Sequence, residues 1–217
     1  MGLQADEVSR QHKPKNGLPS GGPFSFAWLP CWRAVLALAW LLCTALDASA
    51  QAAALQGTHR ITLHSGDGQQ VLIGHVTFTP NADGLVRFAI KMDHERYTDY
   101  FLSMREMKCL PGGTEILCHI PYPYAQPGTV SEGQFAWLEH ALMFMFKKPS
   151  DFGAKLWNGV YFQLRRGEQG LVGRPQAVDL NQIAAPPARL DIPPFKPALR
   201  DDMPEAARWF NRLTIEP

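Results

Sequence analysis

FLSMREMKCLPGGTEILCHI, residues 101–120, sets two strand-like runs on either side of a turn. The first run ends at Leu110, the second begins at Thr114, and Pro-Gly-Gly between them is a turn signal. The two cysteines choose the register. If Cys109 faces Cys118, the hairpin centres on Gly113-Thr114. Glycine first in a two-residue loop suits a type II′ turn. A four-residue loop from Gly112 to Glu115 keeps the same pairing, whereas a turn at Pro111-Gly112 would set Cys109 opposite Thr114 and part the thiols. The pair therefore predicts a cross-strand disulfide, contributing about 2.5–3 kcal/mol by chain entropy for so short a loop. Two cysteines at this spacing match neither a C-x-x-C redox motif nor a zinc ligand set.

The same reading extends to both sides of the hairpin. THRITLH (58–64), QVLIGHVTFTP (70–80) and LVRFAIKM (85–92) are strand-like, with turns at SGDGQ and NADG. In the third, Val86, Phe88, Ile90 and Met92 share one face, as in a half-buried antiparallel strand. With the disulfide hairpin these make an expected five-stranded meander. PYPYAQPGTV (121–130) holds three prolines, so it is neither helix nor central strand. SEGQ (131–134) reads as a capping box opening a helix over 132–147, with Phe135, Leu138, Ala141, Leu142 and Met145 at helical spacing. LWNGVYFQLRR (156–166) and LVGRPQAVDL (171–180) predict a second hairpin around GEQG. From Ile183 a Pro-rich arm follows, then a short helix over 203–212 and an edge strand at LTIEP.

The expected fold is mainly β (α+β): a curved antiparallel sheet or small lipocalin-like barrel of about seven strands, one packed helix and the Pro-rich arm. The likeness to lipocalins is one of architecture and implies no function. The Gly-x-Trp pattern that opens lipocalin barrels is absent.

Arg33, the apolar run AVLALAWLLCTAL (34–46) and the exit Ala48-Ser49-Ala50 follow the order of a secretory signal peptide. The run is short for a spanning helix, which takes about 20 residues. The expected organisation is a disordered extension (1–32), a signal peptide (33–50) and one mature β-rich domain (51–217), in the periplasm. An uncleaved leader would instead anchor the chain in the inner membrane, facing the periplasm, and is the one membrane contact expected. Seventeen of the 21 basic residues and seventeen of the 20 acidic ones fall in 51–217, so the mature domain is neutral. With no basic stripe, nucleic acid is not an expected partner.

Three sets of residues are candidates for function. Asp93-His94-Glu95-Arg96-Tyr97-Thr98-Asp99 is the densest polar cluster. Acid–base catalysis needs such groups close together, so His94, Glu95 and Asp99, with His119 approaching, are the candidate set for a hydrolase-like enzyme. The alternative is a solvated corner with local ion pairs. Tyr122, Tyr124, Trp157 and Tyr161 could line a groove for a flat ligand, or cover the barrel end. Trp137 and Phe144, on the far face of the expected helix, would meet a partner unless the Pro-rich arm covers them. No catalytic, phosphate-loop or metal motif is present, and no cofactor or metal is expected.

KMDHERYTDYFLSMREMKC, CHIPYPY and LWNGVYFQLR resemble a group of uncharacterised exported proteins of Gram-negative bacteria. The resemblance covers most of 51–217 and implies export but no activity. The leading expectation is a non-enzymatic binding or accessory domain for a small hydrophobic or aromatic ligand, or for an envelope protein. The alternative is the acid–base enzyme of the 93–99 cluster.

Overall fold

The computed structural model describes residues 55–102 and 105–217; the expected leader, 1–32 and 33–50, lies outside them. The described strands are β1 (Gly57–Ser65), β2 (Gln70–Pro80), β3 (Val86–Met92), β4 (Thr98–Leu102), β5 (Arg105–Gly112), β6 (Glu115–His119), β7 (Thr129–Val130), β8 (Phe144–Lys147), β9 (Gly159–Arg166), β10 (Leu171–Val178), β11 (Asp201–Asp202) and β12 (Phe210–Glu216). Among the described residues one α-helix, α1 (Ala136–Ala141), lies between β7 and β8.

The two locally coded hairpins form as expected. Cys109 pairs with Cys118 and Gly112 with Glu115, leaving Gly113-Thr114 as the loop. The cysteine Cα atoms are 3.9 Å apart and the sulfurs lie at bonding distance. Gly113 has φ +54°, and a side chain there would run into the Trp209 ring. Both facts call for glycine. β9 and β10 pair from Leu171↔Arg166 to Val178↔Gly159. Pro175 lacks an N–H donor, and it falls where the other side of β10 changes partner. β12 pairs with 171–173 and β11 with 176–177.

The strand count and order differ from expectation. Twelve antiparallel strands form one curved sheet, not about seven. Eleven of them run β4-β5-β6-β8-β9-β10-β12-β1-β2-β3-β7. β3 and β4, consecutive in the chain, therefore sit nine strand spacings apart rather than side by side in a meander. In a flat sheet that separation would be roughly 43 Å. The link from Met92 to Thr98 can reach about 20 Å at most. The sheet must curl until its two ends approach. No pairing joins β4 to β3 or β7, so the barrel stays open at a seam.

Two further expectations are corrected. The helix is six residues long, not sixteen, and FMFK, read as its second half, is strand β8. Its residues pair with β6 from Ile116↔Lys147 to His119↔Phe144, and with β9. An apolar run covered on both faces carries no period, so helix and buried strand look alike in sequence. SEGQ forms a two-residue turn, Ser131 and Gln134 exchanging backbone hydrogen bonds, instead of a capping box. β12 replaces the expected short helix and edge strand, and it is central: Leu213 pairs with Leu63 on one side and Gly173 on the other. Burial of Phe210, Leu213 and Ile215 drives that placement.

The Pro-rich arm does lie against the body. Phe195 is buried and stacks on His140 of α1, centroids 5.6 Å apart.

Candidate functional site

The 93–97 link carries the expected polar cluster across the seam. Asp93 N–H donates to the Ile73 carbonyl at 2.9 Å, starting a 3-10 turn over His94–Arg96. Arg96 Nε donates to Asp93 Oδ2 at 2.8 Å, a local exposed ion pair. Tyr97 is buried and packs edge-on to His94, 5.6 Å between centroids. Burial, then the Asp93 charge, raises the Tyr97 hydroxyl above its ordinary value.

The cluster does not converge as an acid–base set. Glu95 is exposed and lines no cavity described here. Asp99 lies across β4–β5 from Lys108, 2.5 Å away, whose hydrogen bond lowers its carboxyl below the usual range. His94 is different. It comes within 6.5 Å of His119, centroid to centroid, because the link runs into β4 and His119 ends β6, two strands away on the path.

His119 closes β6 against Phe144, rings 5.3 Å apart. Its Nε2–H donates to the Ala141 carbonyl at 3.1 Å, which leaves Nδ1 as the acceptor. Burial lowers its pKa to about 4; the Ala141 bond opposes that and His94 adds to it. His119 is therefore neutral at pH 7.

These two histidines sit at the polar end of a cavity of about 530 Å³. Glu106 and Lys108 complete that end from β5. The remaining wall is apolar: Met107, Ile120, Pro121, Pro123 and Leu156, then Leu180, Ile183 and Ala184 after β10. The size and the mix, mostly apolar with a few convergent polar groups, are those of a small-molecule site. Lys108, which also pairs with Asp99 and lies 3.6 Å from Glu106, donates, Glu106 and His119 Nδ1 accept, and among the described residues the lining holds no serine, threonine or cysteine.

A second cavity, about 520 Å³, lies beside the disulfide hairpin and includes Glu115, Phe146, Arg208 and Trp209. Two of its charges, Arg208 and Glu115, are engaged with one another, while Asp67, Lys148 and Glu205 line it without an ion pair among the described residues. Arg208 lies 3.5 Å over the Phe146 ring and 2.8 Å from Glu115, which also accepts the Trp209 N–H at 2.7 Å. That network pins the C-terminal segment to the hairpin and leaves less to recognise a ligand.

The tyrosine and tryptophan set does not form one groove. Tyr122 and Tyr161 are buried, Tyr124 is half-buried, and Trp157 is 63% exposed on another loop. Tyr122 packs on Tyr124, Trp137 and His140, centroids 5.5–6.0 Å away. Trp137 and Phe144 are both buried, so neither offers a surface to a partner. Tyr122 and His140 pack on Trp137, and His119 and Phe162 pack on Phe144.

Sequence reasoning missed Glu139 and His140, adjacent polar residues inside the core. Glu139 accepts the Tyr161 hydroxyl proton, and the Leu164 N–H at 2.6 Å. Arg200 Nη1 approaches to 4.0 Å. Burial raises the Glu139 pKa, against the pull of these donors. His140 Nδ1–H donates to the Ala136 carbonyl at 2.6 Å and Nε2 accepts from Phe195 N–H at 3.1 Å. Both side chains' polar atoms are matched inside the fold, which marks a structural pin. The available signal was Glu-His amid AWLEHALMF, two polar residues with apolar neighbours on every side.

Among the described residues, no group of three or more His, Cys, Asp or Glu is placed to hold a metal ion. No described helix is long and apolar enough to cross a membrane. Comparison with family models, curated proteins and solved structures gives no match.

Proposed function

We propose that this is an exported, non-enzymatic binding protein that holds a small, largely apolar molecule by its polar end. The observation carrying the reading is the 530 Å³ cavity, apolar along most of its wall, with His94, His119, Glu106 and Lys108 gathered at one end. The polar end favours a head group that both donates and accepts hydrogen bonds. Export is supported by the signal-peptide order of residues 33–50 and by the cross-strand cysteine pair, which suits an oxidising compartment.

Binding of N-phenyl-1-naphthylamine, followed by its fluorescence and displaced by decanoate, tests the pocket. Ala184→Trp is the matched control, because Ala184 is exposed at the cavity wall and a large ring there fills the space. Saturable binding by the parent, lost in Ala184→Trp at unchanged thermal stability, is the expected result. Equal binding by both proteins, or none by either together with an unliganded native mass, sinks the reading.

A further inference from the structure

The loop between β8 and β9, residues 148–158, presents two strongly exposed aromatic side chains within six residues: Phe152, 97% exposed, and Trp157, 63% exposed. The loop is not free to fold them away. Lys147, 2% exposed, sends its ammonium into the loop from beneath, donating to the Gly153 carbonyl at 2.8 Å and to the Asp151 carbonyl. Asp151 Oδ2 holds Lys155 at 3.0 Å, and Asn158 N–H donates to the Lys155 carbonyl at 2.8 Å. Phe146 N–H closes the base on the Asn158 carbonyl at 3.1 Å. A pinned loop that keeps a phenylalanine in water has that ring available to something outside the chain.

The chemistry selects the partner. The two exposed rings offer about 350 Å² together. A stable protein interface takes roughly 800 Å² from each side. The pair is too small for that, but well suited to a lipid surface, where a phenylalanine enters the acyl boundary and a tryptophan sits at head-group level. Charge agrees: Lys148 and Lys155 outnumber Asp151 in the loop, and Lys148, at the rim of the second cavity with Asp67, Glu115 and Glu205, has no ion pair among the described residues. A cation beside inserted aromatics complements anionic head groups.

We infer that residues 148–158 are a membrane-docking loop, with Phe152 and Trp157 entering the surface of an anionic bilayer and Lys148 facing its phosphates. The inference stands apart from the pocket reading but adjoins it. Leu156 lines the cavity, and its carbonyl accepts the N–H of Leu180, another wall residue, at 2.8 Å. Docking would set the cavity close to a source of apolar molecules.

Peptide-resolved hydrogen exchange on the full chain, with and without vesicles of phosphatidylcholine containing phosphatidylglycerol, tests the loop locally. That locality matters because residues 34–46 are themselves apolar and could bring the chain to a vesicle. The expected result is slower exchange over 148–158 on vesicle addition. Phe152→Ser with Trp157→Ser, at exposed positions and with unchanged thermal stability, should raise the lipid needed for half-protection about tenfold or more. Lys148→Glu should weaken protection by the anionic vesicles and leave phosphatidylcholine alone unaffected. Unchanged loop exchange while the chain pellets with vesicles overturns the inference. So does equal protection of the parent and the doubly substituted chain.

Discussion

Phe195 donates its backbone N–H to Nε2 of His140 at 3.1 Å, joining the Pro-rich arm to the helix across 55 residues of sequence. The bond requires an unprotonated Nε2. Burial holds His140 near pKa 4, with the Ala136 bond opposing and Arg200 assisting. His119 is held near 4 mainly by burial as well. An unfolded histidine titrates near 6.5. Between those values the unfolded chain binds protons that the folded chain refuses, so stability rises with pH across the window and is lost as pH falls through it. Each group contributes on the order of 3 kcal/mol. Glu139 acts oppositely: its raised pKa gives stability present below the unfolded carboxyl value and lost as pH rises through the folded one. Urea unfolding at pH 4.5 and pH 7 should show a gain at pH 7, and His140→Gln and His119→Gln should each flatten it.

The buried carboxylate gives a second test. Glu139→Ala leaves the Tyr161 hydroxyl and the Leu164 N–H unpartnered inside the core. The expected loss is about 3–5 kcal/mol, from two unmet polar groups and a cavity. Tyr161→Phe removes one donor and keeps the ring, so about 1–2 kcal/mol is expected. Denaturant midpoints at constant slope measure both.

Removing the cross-strand link by Cys109→Ser with Cys118→Ser should cost about 2.5–3 kcal/mol for a loop this short. For a domain of this size that is a fall of about 5–12 °C in Tm. Reductant should produce the same shift in the parent and none in the double variant, read by differential scanning calorimetry.

Gly113→Ala introduces a Cβ against the Trp209 ring at a residue with φ +54°. A destabilisation of about 2 kcal/mol is expected from the clash and the strained backbone together. Because the indole must move, the intrinsic fluorescence of the folded protein should change as well.

How much of this was legible followed the range of the interactions. The Cys109–Cys118 hairpin and the β9–β10 hairpin were readable because turn residues and alternation lie within about twenty residues of one another. β8 was not, because Phe144, Met145 and Phe146 are apolar on both faces and show no period. β12 was misplaced because its burial depends on Leu63 and Gly173, far away in the chain. In the site, the approach of His119 to the 93–99 corner was expected only if the strands folded suitably, and the rings of His94 and His119 do lie 6.5 Å apart. Glu95 and Asp99 do not join them, since sequence adjacency at a tight corner sends side chains in different directions. Leu156, Leu180 and Ile183 carry no mark of a pocket in sequence; only the packing of separate segments makes them its wall.

β12 joins β1 to β10, with Ile61 opposite Ile215. Its two neighbours are made long before it, and until residues 210–216 exist both have a bare edge. A growing chain thus holds two half-sheets that cannot be joined. Their union waits until residues 210–216 are made, and it closes a loop of about 150 residues, a slow step by its contact order. A stop codon just ahead of Phe210 would leave every earlier hairpin intact and still yield one chain with two aggregation-prone half-sheets in place of one sheet.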